Sequence, residues 1–318
     1  MAADSSSQPR MIRPLHARLL VDFAAGTAAL VAFGAGPDRA LYALHALKPV
    51  DYRTAGPGPS YPKINPARPQ DYRARAWLDG QCVLDLRIDG ERYNVHALQP
   101  LGDDLLLACA RSGGSAGRHN GRVYSRDGRL LRELALGDGI EHLQTTPRGA
   151  IWTGYFDEGV FGDDPVSACG LAAWDAHGAN TYQYRPEDGL DAICDCYALN
   201  VADERETWLC YYTEFALVLL RERRLAGHWR PPFEGAQAMA VRGRHALMYR
   251  HPRRGHEAAL FRLEGDGRCA ELARFELRRE NGAPLRPERV DGRGDTLYFV
   301  ADGCAWTVSL EEAMAAAF

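Results

Sequence analysis

Lysine is nearly absent from this chain. Among its 38 basic residues, Lys48 and Lys63 are the two lysines and every other is arginine. Arginine brings a planar, hydrogen-bonding fork that stacks on aromatic rings, not a compact solvated charge. A net charge of −4 gives no general attraction to nucleic acid or to an acidic membrane surface, so neither is expected as a partner.

Long apolar runs are missing too. The stretch from Ala17 to Phe33 is interrupted by Arg18, Asp22 and Gly26. It lacks the unbroken core of a signal peptide and is too polar to span a bilayer. The expectation is a cytoplasmic protein whose eight cysteines are reduced thiols, since an even count does not by itself establish disulfides. Within Cys194-Asp195-Cys196 each cysteine reads as a small buried hydrophobe. Residues 1–10 are small and polar and read as a disordered tail.

Helical periodicity is scarce. One candidate helix stands out, Leu310 to Phe318 after Ser309, which argues against all-α and α/β architectures. Several catalytic signatures are also lacking: no Gly-x-Ser-x-Gly elbow, no His-Glu-x-x-His, and no phosphate loop. Gly113 to Gly117 is glycine-rich but leads to no helix.

What the chain does contain is a repeat. Asp138-Gly139-Ile140 opens a stretch through Pro147-Arg148-Gly149-Ala150-Ile151-Trp152-Thr153-Gly154 and Gly170-Leu171-Ala172-Ala173-Trp174, and the phrase returns at Asp188-Gly189-Leu190. Laps begin with Val95 to Gln99, Ile140 to Gln144, Cys196 to Asn200 and Ala236 to Ala240. In each lap a polar turn follows, then a more hydrophobic second strand, a third, and a fourth after an Asp-Gly-type turn. A lap of roughly 50 residues built of short strands is the mark of an all-β propeller. The first region, the four laps and a short last lap make about six blades, with five or seven also compatible. The last lap is incomplete, so Ala17 to Phe23 is expected to pair with Ala305 to Leu310 and close the ring, removing exposed edges. Residues 11–318 then form one domain, with a Pro/Gly-rich insertion at 48–70.

The Gly-Ile, Pro-x-Gly-x-Ile-Trp-x-Gly and Gly-Leu phrases resemble the repeats of two-component-regulator-type propellers. The resemblance implies a fold and leaves the function open, because propellers host binding scaffolds, lyases, lactonases and glycosidases alike.

On such a fold, the loops between second and third strands gather on one face with the connections that enter the first strands. The first set nominates Tyr155, Phe156, Asp157, Glu158, Phe161, Tyr211, Tyr212, Glu214, Arg250, His251 and Arg253 as ligand- or partner-binding residues, with aromatics as anchors. The second set nominates His96, Glu141, His142, Asp191, Asp195 and Gln237 around the mouth of the central channel. His96 and His142 are one position out of register, so they need not face the same way. Acidic and aromatic groups crowd the third and fourth laps and arginine and histidine the fifth, which suits a charged protein partner or a zwitterionic ligand. The expected function is non-catalytic binding of a protein or small molecule on this face, in a regulatory or accessory role and without a cofactor or metal. The alternatives are a hydrolase or lyase with a His/carboxylate site, with a divalent cation if one is used, and a purely structural scaffold.

Overall fold

The computed structural model describes residues 11–23, 29–53, 63–64, 67–112, 119–187, 189–250 and 256–318. The expected tail at 1–10 lies outside them. Nearly all regular structure is strand. β1 (Ile12–Asp22) comes first. A four-stranded antiparallel sheet follows, of β2 (Ala29–Ala35), β3 (Leu41–Ala46), β6 (Gln70–Leu78) and β7 (Gln81–Glu91). The insertion expected at 48–70 falls between β3 and β6, where the described part carries a small ribbon of β4 (Tyr52–Arg53) and β5 (Lys63–Ile64).

Three more four-stranded sheets succeed it in chain order. The second contains β8 (Ala97–Leu101), β9 (Asp104–Ala108), β10 (Gly121–Tyr124) and β11 (Leu130–Leu134). The third contains β12 (Ile140–Thr145), β13 (Ile151–Tyr155), β14 (Leu171–Trp174) and β15 (Asn180–Gln183), and the fourth β16 (Asp195–Val201), β17 (Glu206–Tyr212), β18 (Ala216–Arg221) and β19 (Arg224–Trp229). The tight connections follow turn chemistry. Asp79-Gly80 and Asp302-Gly303 have positive φ at both residues, as a type I′ hairpin turn requires. Gly128, at φ 81°, cannot be replaced without conflict, because a Cβ there would lie 2.1 Å from the Arg87 carbonyl oxygen.

The remaining strands are β20 (Ala236–Arg242), β21 (His245–Arg250), β22 (Glu257–Leu263), β23 (Cys269–Arg279), β24 (Arg289–Arg293), β25 (Thr296–Ala301) and β26 (Cys304–Ser309). They join β1 in one eight-stranded sheet, ordered β20-β21-β22-β23-β1-β26-β25-β24. β1 is shared: Ile12 to Ala17 runs parallel to Arg274 to Arg279, and Arg18 to Asp22 runs antiparallel to Cys304 to Thr307. The helix expected after Ser309 is α2 (Leu310–Ala317), and the strand expected to reach Leu310 ends one residue earlier, at Ser309. Ser309 caps that helix in a reciprocal box with Glu312, which halts the strand and starts the helix at one residue. A second helix, α1 (Asp157–Val160), is a single turn between β13 and β14.

Burial explains the imperfect hydrophobic alternation. Strands such as β3, β13 and β14 are buried at every residue, whereas β11 and β15 are largely open. Second and third strands pack on both faces and are selected as continuous apolar runs. The core is divided into clusters between successive sheets. Leu106, Val123, Ile151 and Trp174 join the second sheet to the third. Phe23, Leu41, Trp77, Tyr298 and Val300 join the first sheet to β25. The first strands β2, β8, β12, β16, β20 and β24 touch one another in a closed cycle.

Candidate functional site

The first strands of the repeats surround a cavity of about 410 Å³. Five of the six nominated channel residues line it: His96, Glu141, His142, Asp195 and Gln237. Phe156, from the loop set, joins them. His96 and His142 line the same cavity despite their offset, and the pairing of β12 shifts between Ile140 and His142. A bulge of this kind re-aims side chains, and both Glu141 and His142 reach the cavity wall. Asp191 does not line it. That residue is exposed, and its carbonyl accepts a hydrogen bond from the Tyr211 hydroxyl at 3.0 Å.

The floor is a network of crossing amides. Gln99 Nε2 donates to the Ala35 carbonyl at 3.1 Å, and Gln144 Nε2 donates to the Gly292 carbonyl at 2.9 Å and Asp291 Oδ1 at 3.1 Å. Asn200 Nδ2 donates to the Met239 and Gly294 carbonyls at 2.8 and 2.9 Å. Arg293 is buried among them and donates to the Thr145 carbonyl at 2.5 Å. Each first strand runs beside neighbours it cannot pair with as a regular ladder, so side-chain amides satisfy the facing backbone groups instead.

Charge above this floor is predominantly acidic. Burial, then Glu141, then Asp157, push the Asp195 carboxyl up to about 7. Glu141 is reached by solvent through the cavity yet crowded by protein, and burial followed by Asp157 raises its carboxyl too. Neither carboxylate has an ion-pair or hydrogen-bond partner among the described residues. Burial lowers His96 to about 4 and also lowers His142, which Asp291 partly counteracts. Both rings are therefore neutral at pH 7, and His142 Nε2 is buried with no hydrogen-bond partner among the described residues. Arg289 also lines the wall, its guanidinium donating to the Val31 carbonyl at 2.6 Å. Among the described residues no three His, Cys, Asp or Glu side chains are grouped to hold a metal ion.

The nominated loop residues separate into three groups. Tyr155 and Tyr211, expected in loops, are fully buried. The Tyr155 hydroxyl donates to the Leu136 carbonyl at 2.8 Å and accepts from Thr153 Oγ1 at 2.7 Å. They are strand residues of β13 and β17, and inter-sheet packing claims them before any partner can. Three more are committed to partners within the chain. Glu158 pairs with Arg111, Glu214 with Arg230 at 2.5 Å, and Arg250 with Glu257 at 2.5 Å while lying over the Phe233 ring. Of the rest, Asp157 is exposed, Phe161 is 73% exposed and Tyr212 44% exposed. His251 and Arg253 lie outside the described residues, so the expected basic sector is represented here by Arg250 and its internal ion pair.

Sequence reasoning missed Tyr197, Phe33, Asp291 and Arg289, all of which line the cavity. Tyr197 was accessible to it. It occupies the second position of its lap, as His96, Glu141 and Gln237 do, and all four line the cavity. Tyr197 also stacks on Phe215 with centroids 5.4 Å apart, and Tyr212 packs edge-on against both rings. Asp291 and Arg289 were hidden because Arg289–Arg293 is too polar to read as a strand.

No protein-family model matches the sequence, and neither does any curated protein. Solved structures do resemble it. A chain in the crystal structure of a mitotic checkpoint complex aligns with TM-score 0.52 and 8% identity, over 97% of this chain and 97% of that chain. A chain of a nidogen/laminin complex aligns with TM-score 0.47 and 11% identity, over 78% of this chain and 80% of that one. A catalytically inactive virginiamycin B lyase from Staphylococcus aureus, solved with quinupristin, aligns with TM-score 0.44 and 9% identity, over 90% and 96% respectively. These neighbours are β-propeller proteins. The fold is a β-propeller. At such identities the likeness is one of fold alone. No helix of the described residues is long and apolar enough to cross a membrane.

Proposed function

We propose that this propeller is a single-domain, six-bladed ring closed by β1, and that it binds a small polar ligand in the axial cavity on its loop face. The cyclic contact of the first strands and the sharing of β1 between β23 and β26 support the ring. The observation that carries the binding reading is the cavity itself: about 410 Å³, lined by Glu141 and Asp195, whose carboxylates have no partner among the described residues. That volume lies within the ~300–1,000 Å³ of small-molecule sites. Three aromatic residues, Phe33, Phe156 and Tyr197, add apolar wall. We place the protein in the cytoplasm, since all eight cysteines are unpaired and suit a reducing compartment.

Thermal-shift screening of a small-molecule library tests this reading. Hits should stabilise the native protein and lose their effect in Gln237→Trp, which fills the cavity. Capture of a protein partner that depends on Tyr212 and Phe161 but not on Gln237→Trp would replace it with a protein-docking function. One observation favours a hydrolase or lyase instead. A carboxyl with a pKa of about 7 beside two neutral histidines suits proton transfer near neutral pH. Turnover of a hit, abolished by Asp195→Asn with binding retained, would select that alternative.

A further inference from the structure

We infer that the ligand of the axial cavity is a small organic cation bearing a primary ammonium group, held between Glu141 and Asp195. This rests on the cavity-binding reading above and names the ligand's chemistry.

Charge balance comes first. Glu141 and Asp195 line the cavity without an ion-pair partner among the described residues, and Asp157 repels both. Arg289, on the same wall, directs its guanidinium at the Val31 and Leu30 carbonyls. Crowded carboxylates of like charge are costly unless a cation or a proton arrives. An ammonium group supplies three N–H donors and a full positive charge.

The other lining groups agree with an ammonium. His142, on the same wall, is kept neutral by burial and adds no competing positive charge. Rings of Phe33, Phe156 and Tyr197 line the same space, and aromatic rings attract organic cations. A divalent metal fits less well. It would need several oxygens at ~2.0–2.6 Å around one point, whereas no three metal-ligating side chains are so grouped among the described residues.

Binding is proton-linked. Near pH 7 the Asp195 carboxyl is about half protonated, so the arriving ammonium displaces a proton to solvent while staying charged itself. Glu141 and Asp157 set the field around that carboxyl, and Glu288, Arg289 and Asp291 are the other charged groups on the cavity wall. His96 and His142 are already neutral and add no titration between pH 6 and 8. Affinity should therefore rise as pH rises from 6 to 8.

Calorimetry on the full chain tests this with 1,4-diaminobutane, benzylamine and ethanolamine as probes, and 1,4-butanediol and calcium as comparators. At least one amine should bind more tightly than about 1 mM and release protons at pH 7. Glu141→Gln and Asp195→Asn are near-isosteric and should each weaken it at least ~10-fold, with circular dichroism confirming that both remain folded. If none of the three amines binds, or if the amide variants bind them equally well, the ammonium assignment is overturned. Diol binding that Gln237→Trp abolishes and Glu141→Gln does not would remove the assignment yet leave the cavity reading standing. Calcium binding that the amide variants abolish, without amine binding, would replace it by a metal site. Absence of any cavity-dependent ligand in the wider screen would remove both readings.

Discussion

Replacing Asp195 by Asn should stabilise the protein, and only at neutral to alkaline pH. In the folded chain this carboxyl is pushed from 3.8 to about 7, first by burial and then by Glu141 and Asp157. A raised acid holds its proton in the native state at pH values where the unfolded chain has released it. Stability therefore falls as pH rises from about 4 to about 7, and the whole penalty is present above that window. Each pH unit of displacement corresponds to ~1.4 kcal/mol, which sets an upper bound of ~4 kcal/mol. Asp195 is only half-buried and meets solvent through the cavity, so screening reduces the expected gain to ~1–2 kcal/mol. Denaturant unfolding of the ligand-free protein at pH 4 and pH 8 measures it. Asn should gain this amount at pH 8 and almost nothing at pH 4. An equal effect at both pH values, or destabilisation at pH 8, would refute the electrostatic reasoning.

Deleting residues up to Phe23 should abolish cooperative unfolding, because β1 bridges β23 and β26 and buries Leu15 and Ala17. Deleting residues 1–10 should leave the melting temperature unchanged, and scanning calorimetry separates the two. Tyr155→Phe should cost ~1–3 kcal/mol, because its hydroxyl links Thr153 to the Leu136 carbonyl inside the core. Binding of any cavity ligand to that variant should match the native affinity by calorimetry. Tyr212→Ala should change stability by less than ~1 kcal/mol, since the ring is 44% exposed; a larger loss in a thermal melt would mean that the stack with Tyr197 and Phe215 holds the fourth sheet together. Thiol titration of denatured protein prepared without reductant should recover all eight cysteines.

Local sequence carried much of the fold. Asp79-Gly80 and Asp302-Gly303 suit tight hairpins between apolar strands, because few other pairs reach positive φ cheaply. Doubly buried strands such as Leu41–Ala46 and Ile151–Tyr155 announce themselves as apolar runs. The lap alignment likewise pointed to part of the cavity lining. Residues at one position of a repeat occupy equivalent places around an axis, so His96, Glu141 and Gln237 were legible together, and Tyr197 could have been. Tertiary structure decided the rest. Tyr155 and Tyr212 both end second strands in aromatic surroundings, yet one is enclosed between sheets and the other is open. Arg250 looked available until Glu257 and Phe233 were seen to occupy it. The amide floor joins Gln99, Gln144, Asn200 and Arg293 to strands far away in sequence. Backbone conformation is set by neighbours along the chain, but exposure, ion pairing and the pKa of a carboxyl such as Asp195 depend on atoms that only folding brings within a few ångströms. Local sequence therefore determined the strands, turns and lap positions, and only the assembled propeller determined which charges were left without a partner.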